Sequence, residues 1–250
     1  SPEMESMVRS LRFALFALLL PLAGQAQLVV TNTQTPAWLV QNILLGQGLS
    51  VSNITFNGAP ATVVTEQAGE VDATNTVLGM GQGLILATGD VNNALGPNNS
   101  GSSSLGGGNM GQTDPDLEIL ANPQSVNDAA VLEFDFVPTG DSLKFDFVFA
   151  SDEYLEFVNS VNDIFGFFLS GPGISGPFSN NSANIALIPN TTDPVTINTV
   201  NDMVNSAYYV VNGTGINFPY NGNAMYPQYD GFTVVITAQA EVICGQTYHI

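Results

Sequence analysis

The chain has 250 residues, 44% of them hydrophobic, which is enough to bury a substantial core. It carries 22 acidic residues against three basic ones, for a net charge of −19; Arg9 and Arg12 stand in the first dozen residues and Lys144 is the only base after them. So acidic a surface excludes DNA, RNA and anionic lipid headgroups as partners, because a phosphate backbone is bound by lysines and arginines that displace its counterions, and it favours bound divalent cations as relief from self-repulsion.

Residues 1–26 read as a secretory signal peptide. Arg9 and Arg12 form the basic end, Phe13 to Leu22 the apolar run, and Ala23-Gly24-Gln25-Ala26 the small-residue exit, with cleavage expected after Ala26. That run is shorter than the roughly 20 residues needed to span a bilayer, and no other segment predicts a direct membrane span. Residues 27–250 read as one domain, with no tandem repeat and no convincing linker. A single cysteine, Cys244, cannot form an intrachain disulfide; in the alternating run "EVICGQTYHI" it reads as a small buried hydrophobe.

Thr35-Pro36 opens the first predicted helix. Thr35 can cap it, Pro36 suits its first position, Leu39, Val40, Ile43 and Leu44 share one face, and Gly46 ends it. Trp38 on this helix reads as a packing anchor. Downstream the period changes to two: "VSNITFNG", "GLILATG", "VLEFDFVP", "SLKFDFVFA", "IFGFFLSG", "PVTINTV", "SAYYVVNG" and "FTVVITAQAEV" are short β-prone runs separated by Gly, Pro, Asn and Asp. The clearest pair, Val131 to Pro138 and Leu143 to Ala150, predicts an antiparallel hairpin turned at Thr139-Gly140-Asp141 with one phenylalanine-rich face buried. Lys144 and Asp146 share its solvent side, so Lys144 is expected in a weak cross-strand ion pair. Between these runs, residues 96–116 form a Gly, Ser and Asn excursion with almost nothing to bury, followed by a short helix from Asp114-Pro115 to Asn122-Pro123. The pattern predicts an all-β fold, β-sandwich or jelly-roll-like with antiparallel sheets, and one or two short helices.

Chemistry-bearing motifs are few. Gly106, Gly108 and Gly111 match G-x-G-x-x-G, but Ser and Asn flanks and no preceding strand argue against a phosphate site. With one histidine, His249, and one cysteine, a zinc site or a Ser-His-Asp triad has too few parts, and His249 reads as a strand residue. Glycosylation sequons begin at Asn53, Asn98, Asn180, Asn190 and Asn212. Carboxylates remain, concentrated in "FASDEYLEFVNSVNDIF". Asp152 and Glu153 are adjacent, so on a strand they would point to opposite faces, and only a turn could make them converge as a glycosidase pair. Calcium asks less: about six to eight oxygens from side chains, carbonyls and water. The candidate calcium ligands are Asp152, Glu153, Glu156, Asn162 and Asp163; the alternative is an acidic loop that stays solvated or caps its neighbouring turn, and both readings stand at this stage.

"NDAAVLEFDFVPTGDSLKFDFVFASDEYLEFVNSVNDIFGFFLSGPG", with "GLILATGDVNNALGPN" upstream and "YDGFTVVITAQAEVICGQTYHI" downstream, resembles the choice-of-anchor L domain of secreted bacterial surface proteins. The resemblance runs from Thr35 to Ile250, and its S-[DE]-E-Y and N-D-x-F-G-F-F-L-S-G-P-G patterns are specific. It implies export and surface display rather than a defined reaction. Family members continue past the equivalent of Ile250, so the chain is expected to be C-terminally incomplete, with its anchor in the missing part.

Together these readings predict a secreted or cell-surface, non-enzymatic module for adhesion or display. Calcium is the expected cofactor, and an extracellular protein or glycan the expected partner. One rival is a carbohydrate-binding module using Tyr208, Tyr209, Tyr220, Tyr226 and Tyr229; the other is a carboxylate-dependent glycoside hydrolase.

Overall fold

A computed structural model of the protein describes residues 27–45, 49–106, 111–213 and 221–250. The proposed signal peptide, Gly46 at the expected helix end, Gly108 of the glycine motif and Tyr220 lie outside these residues.

The first helix forms as its capping residues dictate: α1 (Pro36–Leu39) has Thr35 as N-cap, whose side chain accepts from the Trp38 amide. It continues as a wider π-helical turn over Val40–Leu44. Leu39 and Val40 are fully buried, whereas Trp38 is 37% exposed, so the helix is anchored by its leucine and valine rather than by the tryptophan. The second helix, α2 (Pro115–Ala121), is capped by Asp114, whose carboxylate accepts from Asp116 and Leu117 amides, and it stops at Asn122 before Pro123 as expected.

The remaining elements are strands. In chain order they are β1 (Val29–Thr31), β2 (Ser50–Phe56), β3 (Ala59–Pro60), β4 (Ala68–Asp72), β5 (Gln82–Leu86), β6 (Leu132–Val137), β7 (Ser142–Phe147), β8 (Ala150–Ser151), β9 (Ile164–Phe165), β10 (Phe168–Leu169), β11 (Ala183–Asn184), β12 (Val195–Thr196), β13 (Tyr209–Val211), β14 (Gly231–Thr233), β15 (Ile236–Glu241) and β16 (Tyr248–His249). Among the described residues every ladder between these strands is antiparallel, in the orders β1-β4-β5, β16-β6-β2-β3, β15-β7, β13-β14-β8, β12-β9 and β10-β11. The fold is all-β with two short helices.

One expected pairing is corrected. β6 and β7 alternate as predicted, with Phe134 and Phe136 buried on one and Leu143, Phe145 and Phe147 on the other. They do not form a hairpin: β6 pairs with β2 and β16, and β7 pairs with β15. The turn after Val137 carries the chain from one sheet to another, and the two phenylalanine faces enter the same core from both sides with Leu169, Ile188, Val195 and Ile236. Two amphipathic strands bury more apolar surface when their faces meet than when they lie side by side in one layer. Lys144 then faces Gln239, and Asp146 accepts from Thr237 Oγ1 at 2.6 Å; among the described residues Lys144 makes no ion pair.

A second correction concerns Cys244, which is exposed rather than buried. The alternation of "EVICGQTYHI" breaks after Val242 because Gly245 adopts φ 77° in the turn between β15 and β16. His249 is a strand residue as expected; its Nδ1 lies 2.8 Å from Asp135 Oδ1, its Nε2 3.5 Å from Glu133 Oε1.

Candidate functional site, an acidic cluster at the end of a ladder

β8 is short and ends in the acid-rich turn. It pairs with β14 through Gly231 opposite Ser151 and Phe232 opposite Ala150. Continuing that register by one residue sets Asp230 across from Asp152, two like charges at the end of a ladder, an arrangement that costs stability when nothing compensates it. The chain then turns: the Phe157 amide donates to Glu153 O at 3.1 Å and the Val158 amide to Leu155 O at 3.3 Å. Ser151 ties the turn to the next strand, donating from Oγ to Asp163 Oδ2 at 2.7 Å while accepting from the Glu153 amide at 2.9 Å. The turn therefore supplies the convergence that an extended strand could not.

The segment after β5 closes the cluster from the other side. Asp90 caps the turn Val91–Ala94, accepting from the Asn92 amide at 2.8 Å. Asn93 Nδ2 donates to Asp152 Oδ2 at 3.2 Å, and Asn93 is itself held by Ser103, whose Oγ donates to Asn93 Oδ1 at 2.7 Å. Asn98 is fully buried and donates from Nδ2 to Asp230 Oδ1 at 2.7 Å and to Asn212 O at 2.8 Å. The Gly, Ser and Asn stretch is thus tied into the fold by its asparagines.

Each carboxylate of the opposed pair has one oxygen pinned by an asparagine and one with no donor among the described residues. Buried side-chain atoms without a hydrogen-bond partner are Asp152 Oδ1, Glu156 Oε2, Asp230 Oδ2, Tyr154 OH, Tyr209 OH and Ser182 Oγ among the described residues. All but the last belong to this cluster, a concentration that folded proteins ordinarily avoid. The electrostatics agree. Burial, then the charge of Asp230, push the Asp152 carboxyl up to about 7. Burial, with Glu156 and Glu153 nearby, raises Asp230 to about 6 against the opposing hydrogen bond from Asn98. Glu153 is raised by burial and by Asp163 and Glu156. Asp163 keeps an exposed edge, yet protein surrounds most of its carboxyl, and that burial raises it despite the Ser151 bond. Tyr154, Tyr209 and Tyr229 are all raised, first by burial and then by neighbours that include Asp163 for Tyr154, Asp230 for Tyr209 and Asp152 for Tyr229. Gly231 makes room for two of these rings: a Cβ there would meet Tyr209 Cε2 at 2.6 Å and Tyr154 Cδ2 at 2.8 Å.

Of the candidate ligands, Asp152 lies within electrostatic reach of Glu153 and Asp163, and Glu153 of Glu156 and Asp163, while Asp230 joins them through Asp152, Glu153 and Glu156. Asn162 is drawn elsewhere, its Oδ1 accepting from the Asn198 amide at 3.3 Å. Among the described residues no group of three or more His, Cys, Asp or Glu side chains is arranged to hold a metal ion. Sequence reasoning missed Asp230, Asn93 and Asn98, although all three lie in the flanking stretches quoted for the family resemblance.

The rivals find less support. Tyr208, Tyr209, Tyr226 and Tyr229 are all half-buried, Tyr208 and Tyr209 against the main core and Tyr229 against a smaller one, so they form no exposed row for stacking on sugar rings. Asp230 is wholly buried, so its carboxyl is closed to a sugar chain from outside. Two surface hollows of about 300 and 310 Å³, one beside Leu45 and Phe136 and the other beside Leu120 and Phe178, contain none of the clustered carboxylates. Asn98 and Asn212 are buried and hydrogen-bonded, which closes two of the five sequons to glycans.

Among the described residues no helix is long and apolar enough to cross a membrane. No curated protein and no solved structure matches the chain. A family model described as Choice-of-anchor L domain matches residues 28–250, nearly the whole described chain and all three elements of the acidic cluster. The chain belongs to the choice-of-anchor L domain family, and with it to the extracellular, surface-associated modules.

Proposed function

We propose that the protein is a non-enzymatic module for adhesion or display at the cell surface or in the extracellular matrix, stabilised by calcium bound at its acidic cluster. Membership in the family supports the surface role. One observation carries the calcium reading: carboxylate oxygens of Asp152, Glu156 and Asp230 are buried without donors, in a cluster that no Lys, Arg or His side chain pairs with among the described residues. Uncompensated buried carboxylates either take up protons or bind a cation. Among the described residues the cluster offers oxygen ligands, which suit a hard ion such as calcium rather than zinc. With few carboxylates in direct reach, amide, hydroxyl, main-chain and water oxygens would fill the rest of the shell, as calcium's loose geometry permits.

The test is thermal unfolding after chelation. Calcium added back at pH 7.5 is expected to raise the melting temperature saturably, and the double variant Asp152→Ala, Asp163→Ala to lose that rise. An identical melting curve with calcium and with excess chelator would refute the calcium reading.

A further inference from the structure

The five ligands expected from the sequence all lie within residues 152–163, whereas the structure draws the site across three separate segments. Asp152 follows β8, Asp230 precedes β14, and the β8–β14 register opposes them. Asn93 and Asn98, from the segment that follows β5, each hold one oxygen of the pair, at 3.2 and 2.7 Å. The remaining oxygens, Asp152 Oδ1 and Asp230 Oδ2, are buried and have no donor among the described residues. An acidic pair alone would be weak ground for a binding site. A second feature points the same way: Tyr154, a neutral residue with 0% of its surface exposed, leaves its hydroxyl without a partner among the described residues, its ring packed on that of Tyr209 at 4.8 Å and against Gly231, the neighbour of Asp230. Tyr209 OH is likewise unpartnered among the described residues and lies against Gly231, next to Asp230. Carboxylate and hydroxyl oxygens left unsatisfied in one buried place are what a single cation with an oxygen shell would satisfy together.

We propose that Asp152 and Asp230 form the inner pair of a calcium-type hard-cation site, completed by neighbouring hydroxyl and water oxygens, that clamps the Asp90–Ser103 segment onto the β8–β14 ladder. This deepens the calcium reading above and rests on it. The clamp follows from the way the asparagines hold the outer oxygens: any ion that fixes the two carboxylates also fixes Asn93 and Asn98, and through the Asn93–Ser103 bond the stretch from Asn93 to Ser103. Asn162 has no part in it.

The experiment uses terbium as a calcium substitute, excited through the cluster's tyrosines, alongside melting curves with and without calcium. Wild-type protein is expected to show terbium emission that excess calcium displaces. Asp230→Asn keeps the shape that Asn98 recognises; it is expected to weaken terbium and calcium binding at least tenfold while leaving the chelated protein as stable as wild type, or more so, because a like-charge contact is gone. Asp152→Asn is the second variant should Asp230→Asn fail to fold, and Asp141→Asn, an exposed site with the same charge change, is expected to bind as wild type does. If wild type binds and both inner variants bind equally well, the inner pair is overturned while the calcium reading survives. If wild type neither binds terbium nor responds to calcium, the calcium reading itself fails.

Discussion

Alanine at Phe136 is expected to destabilise the protein by about 3–5 kcal/mol, the usual cost of deleting a fully buried aromatic side chain. Phe136 is 1% exposed and lies in β6, the strand that joins β2 to β16, opposite Val51 on one side and Tyr248 on the other. Its ring is 5.9 Å from that of Tyr248 and 6.1 Å from that of Phe134, so the substitution opens a cavity in the main core. For a domain of this size each kcal/mol lowers the melting temperature by about 2–4 °C, and chemical denaturation should show a lowered midpoint with an unchanged slope. A loss below about 1 kcal/mol would mean that β6 does not carry the centre of the core.

The second large effect is on pH dependence. In the presence of chelator the protein is expected to lose stability as the pH rises from about 4 to about 7, the reverse of ordinary acid denaturation. An Asp carboxyl in the unfolded chain titrates near 3.9, whereas folded Asp152 is pushed up to about 7 and Asp230 to about 6. Between those limits the folded state binds more protons than the unfolded state, so stability falls with rising pH. The contribution of the pair is fully present below about pH 4 and gone once the pH has passed through the folded values. Each tenfold change in proton affinity is worth about 1.4 kcal/mol, so ionising Asp152 alone costs the folded protein on the order of a few kcal/mol. The chain's net charge of −19 adds self-repulsion in the same direction. Asp135 works the other way: despite some burial, hydrogen bonds from Asn53 and His249 hold it below the ordinary range, so its stabilisation is lost only at still lower pH. Calcium competes with protons for the same oxygens; its stabilisation should be large at pH 7.5 and vanish near pH 4.5. A chelated protein whose stability is flat or rising from pH 4 to 7 would contradict these shifts.

How much of this was legible in the chain depends on the range of the interaction. Thr35 and Asp114 act on amides two or three residues away, so both helix starts could be read directly. The alternation of β6 and β7 was equally local, but it does not state what each buried face meets; the same phenylalanine pattern serves a hairpin and two facing sheets, and only the partners β2, β15 and β16 decide. Cys244 is exposed because one left-handed glycine, Gly245, ends the alternation that would otherwise bury it.

The site divides in the same way. Asp152, Glu153, Glu156 and Asp163 share one short stretch, and the tie from Ser151 to Asp163 spans only 12 residues. Asn98 and Asp230 lie 132 residues apart and meet through a buried hydrogen bond, and the β8–β14 register sets Asp230 across from Asp152. Nothing in the local spacing of either announces the other. Asn162, chosen for its chemistry and proximity in sequence, was lost to a competing amide at Asn198.

Isothermal titration of calcium into the chelated protein at pH 7.5 tests the central claim most directly. The predicted result is saturable uptake of one equivalent per chain, weakened at least tenfold in Asp230→Asn and diminished as the pH falls toward 5. Titration heats no different from dilution into buffer, with the wild-type protein folded, would contradict it.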